Sequence, residues 1–175
     1  SRVSSLSTRT THPFVIDNIQ KLLNNCGLGT VIENPYTFKT KGEMFINCTN
    51  QDVLNGIFKS SVSCGKRGRK QFNYDNRLAA HCGRCMPCIY RRAALNKARL
   101  DDQLDYGNFI TNVNSIGKND LPALFNFLNR NITLEQMKRD LLVNGSISLE
   151  NLTEYSKMVL KSKDEVLQLF RDKGN

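Results

Sequence analysis

The stretch from Ser63 to Arg92, SCGKRGRKQFNYDNRLAAHCGRCMPCIYRR, holds four of the chain's six cysteines, three of them crowded into HCGRCMPC. Cys82, Cys85 and Cys88 form C-x-x-C-x-x-C, and Cys64 precedes them across an intervening loop. Thiolates two residues apart converge on one ion, because the turn between them aims backbone amides at sulfur and both side chains inward. A fourth thiolate from a separate loop completes a tetrahedron, the closed set of a structural zinc site, with no position left for water or substrate. Similar spacing occurs in iron–sulfur proteins, where a further cysteine followed by proline lies close by. Here Ile89 follows Cys88 and the fourth thiol lies upstream, which favours zinc over a cluster and both over unmetallated thiols. His81 abuts Cys82 and has poor reach to the same ion, so it reads as a surface histidine or a support for the ligands. Cys26 and Cys48 stand alone in apolar helical contexts and read as buried hydrophobes. Secreted scaffolds spread their cysteines along the chain, so this clustering points to a reducing, cytoplasmic setting.

The charge is gathered around the same thiols. Lys66, Arg67, Arg69 and Lys70 precede Arg77, then Arg84, Arg91, Arg92, Lys97 and Arg99 follow, within a chain of net charge +9. Such a balance implies an anionic partner. Because the cations ring the cysteines instead of lining a stripe, small anions such as nucleotide phosphates are expected ligands. Nucleic acid is the rival, less favoured because Phe72, Tyr74 and Tyr90 are the only nearby aromatics that could stack on bases. No apolar run has the length of a membrane span, and SRVSSLSTRTTH at the N-terminus lacks the apolar block of a secretory signal. The chain opens on Ser1 and not on methionine, which is expected of a processed product or of a fragment lacking its N-terminal part.

Periodicity predicts a mostly helical chain with a little strand. Pro13 suits a first helical position, and Phe14, Val15, Ile16, Ile19, Leu22, Leu23 and Cys26 mark one apolar face, hence a buried helix ending before Gly27. TVIENPY, Thr30 to Tyr36, opens on β-branched residues and predicts a short strand. Thr40 and Glu43 have capping-box spacing ahead of a short helix, and Asp52 to Lys59 reads as another. IYRRAALNKARL predicts a helix from about Pro87 to Leu100, and DYGNFITNVNSIGKND reads as a connection. Three further helices are expected, with a second capping box at Thr133 and Gln136 and turns at Asn131 and Gly145.

Several motifs are absent from the sequence. It has no G-x-x-x-x-G-K-[ST], no G-x-G-x-x-G and no serine elbow, and its two histidines make a histidine-based mechanism a poor fit.

The order H-P-F, then NPYTFKTKGEM, then S-x-S-C, then HCGRCMPCIYRRAAL resembles the C-terminal half of the QueC-like family, the cyano-deazaguanine synthases of the PP-loop ATPase superfamily. The wording is most similar to the QatC branch, associated with anti-phage defence, and the resemblance covers about residues 7 to 100. It implies an α/β fold: the C-terminal part of a Rossmann-like PP-loop domain over 1–105, with the zinc region at 63–92, followed by a helical region at 106–175. It implies zinc on Cys64, Cys82, Cys85 and Cys88, a catalytic and substrate-binding role for Lys41, and substrate contacts from Arg84 and Arg91. The implied activity is ATP-dependent, magnesium-assisted adenylation of a deazaguanine-type carboxylate for amide or nitrile formation, or for conjugation to another defence-system protein. The superfamily's phosphate loop, S-G-G-x-D-S, is absent from these residues, so an N-terminal PP-loop portion is an expected partner. Two function classes therefore stand: the zinc-bearing part of an ATP-dependent enzyme, and a non-catalytic basic zinc module that binds nucleic acid or a partner protein.

Overall fold

The structure is a computed structural model and describes residues 12–111, 121–143 and 147–174. The stretch before His12, most of the Asn-rich segment after Thr111 and the turn at Gly145 lie outside the described residues. Seven α-helices are described: α1 Pro13–Asn25, α2 Lys41–Ile46, α3 Gln51–Ile57, α4 Met86–Lys97, α5 Leu121–Asn129, α6 Leu134–Val143 and α7 Leu149–Lys173. The chain divides into two compact units, Ser1–Phe38 with Ile132–Leu160, and Lys39–Asn131 with Lys161–Asn175.

The expected α/β, Rossmann-like domain is not what forms. Among the described residues there is no strand or sheet, and the extended pairing is confined to a single parallel bridge between His81 and Tyr106. The predicted strand at Thr30 to Tyr36 shows why. The Gln20 side chain accepts from Ile32 N at 2.8 Å and donates to Thr30 O at 2.9 Å, taking the backbone groups that a neighbouring strand would need. Asn34 then turns the chain, its side chain accepting from Tyr36 N at 3.0 Å. A lone β-branched run with no second run to pair with has nothing to stabilise it as a sheet.

In the first unit, α1 begins as predicted, with Pro13 inside the first turn and the His12 ring accepting from Phe14 N at 3.2 Å. Its apolar face is not buried as expected: Phe14, Ile19 and Leu22 are exposed, and no residue of α1 is fully buried. Phe38 stands edge-on to Tyr155 at 5.0 Å, and Met137, Leu152 and Ser156 are buried. The capping box ahead of α6 forms, Thr133 accepting from Gln136 N at 3.2 Å and Gln136 from Thr133 N at 2.9 Å.

The second unit carries the main core. Ile89 and Ala93 of α4 pack with Ile110, with Leu121, Leu124 and Leu128 of α5, and with Val166 and Leu169 of α7. Burying these eight side chains supplies the hydrophobic drive that holds α4 in place. The capping box at α2 also forms: Thr40 Oγ1 accepts from Glu43 N at 3.0 Å, and Glu43 accepts from Thr40 N at 2.9 Å. The α2 helix packs on α4 through Gly42, where an added Cβ would stand 2.7 Å from the Lys97 side chain and 2.8 Å from the Glu165 carboxylate. Helix α4 thus carries the cysteines at one end and α2 at the other.

Candidate metal centre

The α4 helix opens on the cysteine motif itself. Cys85 is its N-cap, Pro87 lies in its first turn and Cys88 follows as the third helical residue. Proline there costs no hydrogen bond, since that amide has no partner within the helix, and the positive end of the helix faces the two sulfurs. Cys82 lies one short turn earlier, and Gly83 makes that turn with φ +76°, a left-handed conformation that disfavours any side chain. A Cβ at Gly83 would also lie 2.5 Å from Asn108 O. Cys64 enters from the preceding loop.

The sulfurs of Cys64, Cys82, Cys85 and Cys88 all lie within 4.8 Å of one another, and the last three cysteines are buried. Cys82 Sγ and Cys88 Sγ are 3.9 Å apart. This is far beyond a disulfide of about 2.05 Å. It matches the edge of about 3.8 Å in a tetrahedron with zinc–sulfur bonds of about 2.3 Å. Backbone amides point at sulfur as such a site requires: Lys66 N and Cys82 N donate to Cys64 Sγ at 3.4 and 3.3 Å. These four cysteines can hold a metal ion, and the all-sulfur set suits zinc.

Crowded together, the thiols share their protons unequally. Donation from Cys82, then Cys85 and Cys88, drives the Cys64 thiol far below its usual range. The Cys64 thiolate acts to raise Cys82, yet donation from Cys85 and Cys88 brings Cys82 down to about 7. Cys85 and Cys88 are pushed up, chiefly by Cys64 and Cys82. A divalent cation relieves this competition, because it replaces the shared protons and lets all four sulfurs ionise.

The wall behind the cluster comes from a segment that reads as a connection in the sequence. Asn108, fully buried, donates from its side chain to Cys82 O at 2.6 Å. Gly107 N donates to His81 O at 2.7 Å, and Gly107 O accepts from Asp75 N at 3.0 Å. Arg92, also fully buried, lies with its guanidinium 4.4 Å from the Tyr106 ring centre. It pairs with Asp101 at 3.3 Å, where burial pushes the carboxyl up and Arg92 opposes that rise. The sequence signal for this wall was slight: an aromatic, a glycine and an asparagine in succession, DYGN, within an Asn-rich stretch.

The other site residues fall in different places. Arg84 is buried within the knuckle, and its backbone amide serves the Cys82 sulfur. Arg91 is buried, donating to Phe58 O at 2.6 Å and Ser61 Oγ at 2.7 Å. It also borders a cavity of about 260 Å³ shared with Lys59, His81, Leu104 and Tyr106. His81 is buried there, and desolvation, with Arg91 adding to it, keeps its ring below the usual imidazole range. Lys41 is exposed in the first turn of α2. Its neighbour Gly42 rests on Lys97, nine residues along α4 from Cys88, a separation of roughly 14 Å. The structure brings the four cysteines and Arg84 together, and sets Lys41 apart from them. Cys26 is exposed and Cys48 half-buried, unlike the buried hydrophobes the sequence predicts.

Comparison with protein-family models, with curated proteins and with solved structures finds no match.

Proposed function

We propose that the four cysteines hold one structural zinc, and that this chain is the zinc-bearing part of a QueC-like ATP-dependent enzyme that adenylates a carboxylate. The observation that carries the first half is the convergence of the Cys64, Cys82, Cys85 and Cys88 sulfurs within 4.8 Å at the start of α4. Four thiolates close the coordination sphere, so the metal's work is to fix geometry. It would tie the Ser63–Cys82 loop to the start of α4, while the α2 helix that presents Lys41 packs on the far end of α4 through Gly42. The second half is supported by the motif HCGRCMPCIYRR and the capped TKGE turn, both present with the spacing of the resemblance. In this reading Lys41 meets an anionic group of nucleotide or substrate. Arg91, beside the cavity it shares with His81 and Lys59, meets the carboxylate of a small substrate.

Activation of a carboxylate requires the triphosphate to be held in line for attack, and these residues supply side chains but no glycine-rich cradle. The test is therefore made on the chain together with a protein portion carrying S-G-G-x-D-S. ATP turnover to AMP and pyrophosphate should depend on a deazaguanine-type carboxylate, with magnesium present. Lys41→Ala should lower turnover with zinc content unchanged. ATP turnover by these 175 residues alone would defeat the reading.

A further inference from the structure

Of the ten cations that ring the cysteines in the sequence, three are buried in the structure and four lie together on one loop. Arg84, Arg91 and Arg92 are buried. Arg67, Arg69 and Lys70 are exposed and Lys66 is half-exposed, all on the loop that follows Cys64. Between Cys64 and Asn73 that loop contains no acidic residue, and among the described residues no ion pair is formed by any of the four. The nearest carboxylate along the chain, Asp75, accepts from Phe109 N at 2.7 Å.

Both ends of the loop are held. Lys66 N donates to Cys64 Sγ at 3.4 Å, and Arg69 N closes a turn onto Lys66 O at 3.0 Å. At the far end Asn73 is buried, its side chain donating to Ala79 O at 3.2 Å and lying against Gly107. Tyr74, the next residue, is 61% exposed. Four cations and an aromatic ring are thus presented on a loop with fixed ends. Neither the cavity beside His81 nor the larger one beside Lys97 and Glu165 includes any of them.

A small anion needs a concave site in which several donors converge, whereas an extended polyanion can neutralise cations on an open surface one phosphate at a time. The exposed Tyr74, four residues after Lys70, offers a stacking face for an unpaired base. We infer that the Lys66–Lys70 loop, with Tyr74, is a contact surface for single-stranded nucleic acid. Lys66, Arg67, Arg69 and Lys70 meet the phosphates, and Tyr74 stacks on a base. This goes beyond the enzymatic reading and does not depend on it, since it requires neither ATP nor a carboxylate.

The test is fluorescence anisotropy of a labelled twenty-nucleotide oligothymidine with the 175-residue chain across a salt series. Four phosphate contacts give a log–log salt slope of roughly −3. Replacing Lys66, Arg67, Arg69 and Lys70 together by alanine should weaken binding by about tenfold or more and flatten that slope. Tyr74→Ala should weaken it about fivefold with the slope retained, which a purely electrostatic surface would not do. Metal content and helicity are measured for each variant. Should the fourfold variant lose either, Arg67→Ala with Arg69→Ala, two exposed positions, is read in its place. Unchanged affinity in the charge variant, unchanged affinity in Tyr74→Ala, or equal competition by polyglutamate or ATP would each overturn the inference.

Discussion

The buried side-chain amide of Asn108 donates to the backbone carbonyl of Cys82 at 2.6 Å, joining the segment after α4 to the first cysteine of the knuckle. Asn108 O also lies 2.5 Å from where a Cβ of Gly83 would fall. One residue thus meets the turn at both Cys82 and Gly83. Asn108→Leu fills the volume but leaves the Cys82 carbonyl buried without its donor, and should cost about 1–3 kcal/mol. Gly83→Ala adds left-handed strain to a clash with backbone, and should cost about 2–4 kcal/mol. Urea unfolding of both variants, with zinc affinity by competition against a chromogenic chelator, checks this. Stability falling without loss of metal affinity would mean that this contact does not shape the site.

Metal should be integral to the second unit's fold. One zinc per chain is expected by elemental analysis, and its removal should lower the melting temperature by well over ten degrees, because binding free energy at such a site is folding free energy. Cys85→Ser together with Cys88→Ser should abolish retention, whereas Cys26→Ser, at an exposed cysteine apart from the cluster, should leave zinc content unchanged. Iron with visible absorption, or zinc kept by the double variant, would refute the assignment.

The cysteine motif was legible because its spacing dictates local geometry: two residues per turn, a proline in the first helical turn, and a sulfur at each return of the chain. The capping boxes at Thr40 and Thr133 were legible for a similar reason, each being settled by residues three apart. The α/β expectation failed because a sheet depends on distant partners. Nothing within Thr30 to Tyr36 says that Gln20 will take its backbone groups. Burial departs from local pattern at both extremes. Leu22 of α1 is exposed although its periodicity marks a core face, and Arg92 is in the core although its charge marks a surface. Periodicity reports which side chains share a helix face, and only tertiary packing decides whether that face is covered.

The Arg92 and Asp101 pair, 3.3 Å apart with both side chains fully buried, gives a sharp mutational test. Arg92→Met strands a buried carboxylate beside Tyr106, and Asp101→Leu strands a guanidinium. Each should cost about 3–5 kcal/mol. The double variant should recover much of that loss, because removing both charges removes both desolvation penalties. A double-mutant cycle in urea measures the coupling, and strictly additive losses would show that the two residues stabilise the wall separately.

Glu43 is held below the usual carboxylate range first by its hydrogen bond from Lys161, at 2.9 Å, and then by the Thr40 backbone amide. In the unfolded chain its pKa returns to about 4.3. Between the folded and unfolded values the folded state binds fewer protons than the unfolded one, so stability rises with pH there. The contribution is fully present above about pH 5 and is lost as pH falls through the folded value. Its size should stay below about 1 kcal/mol, because Lys161 is largely exposed and the pair is screened by salt. Glu43→Gln keeps a side-chain oxygen for the Thr40 amide but cannot ionise, so it should flatten the pH dependence of the urea midpoint on the acid side. Thr40→Ala removes the acceptor for Glu43 N and should lower stability by about 1 kcal/mol, including at neutral pH. An unaltered acid slope in Glu43→Gln would place the acid sensitivity of the fold in other carboxylates.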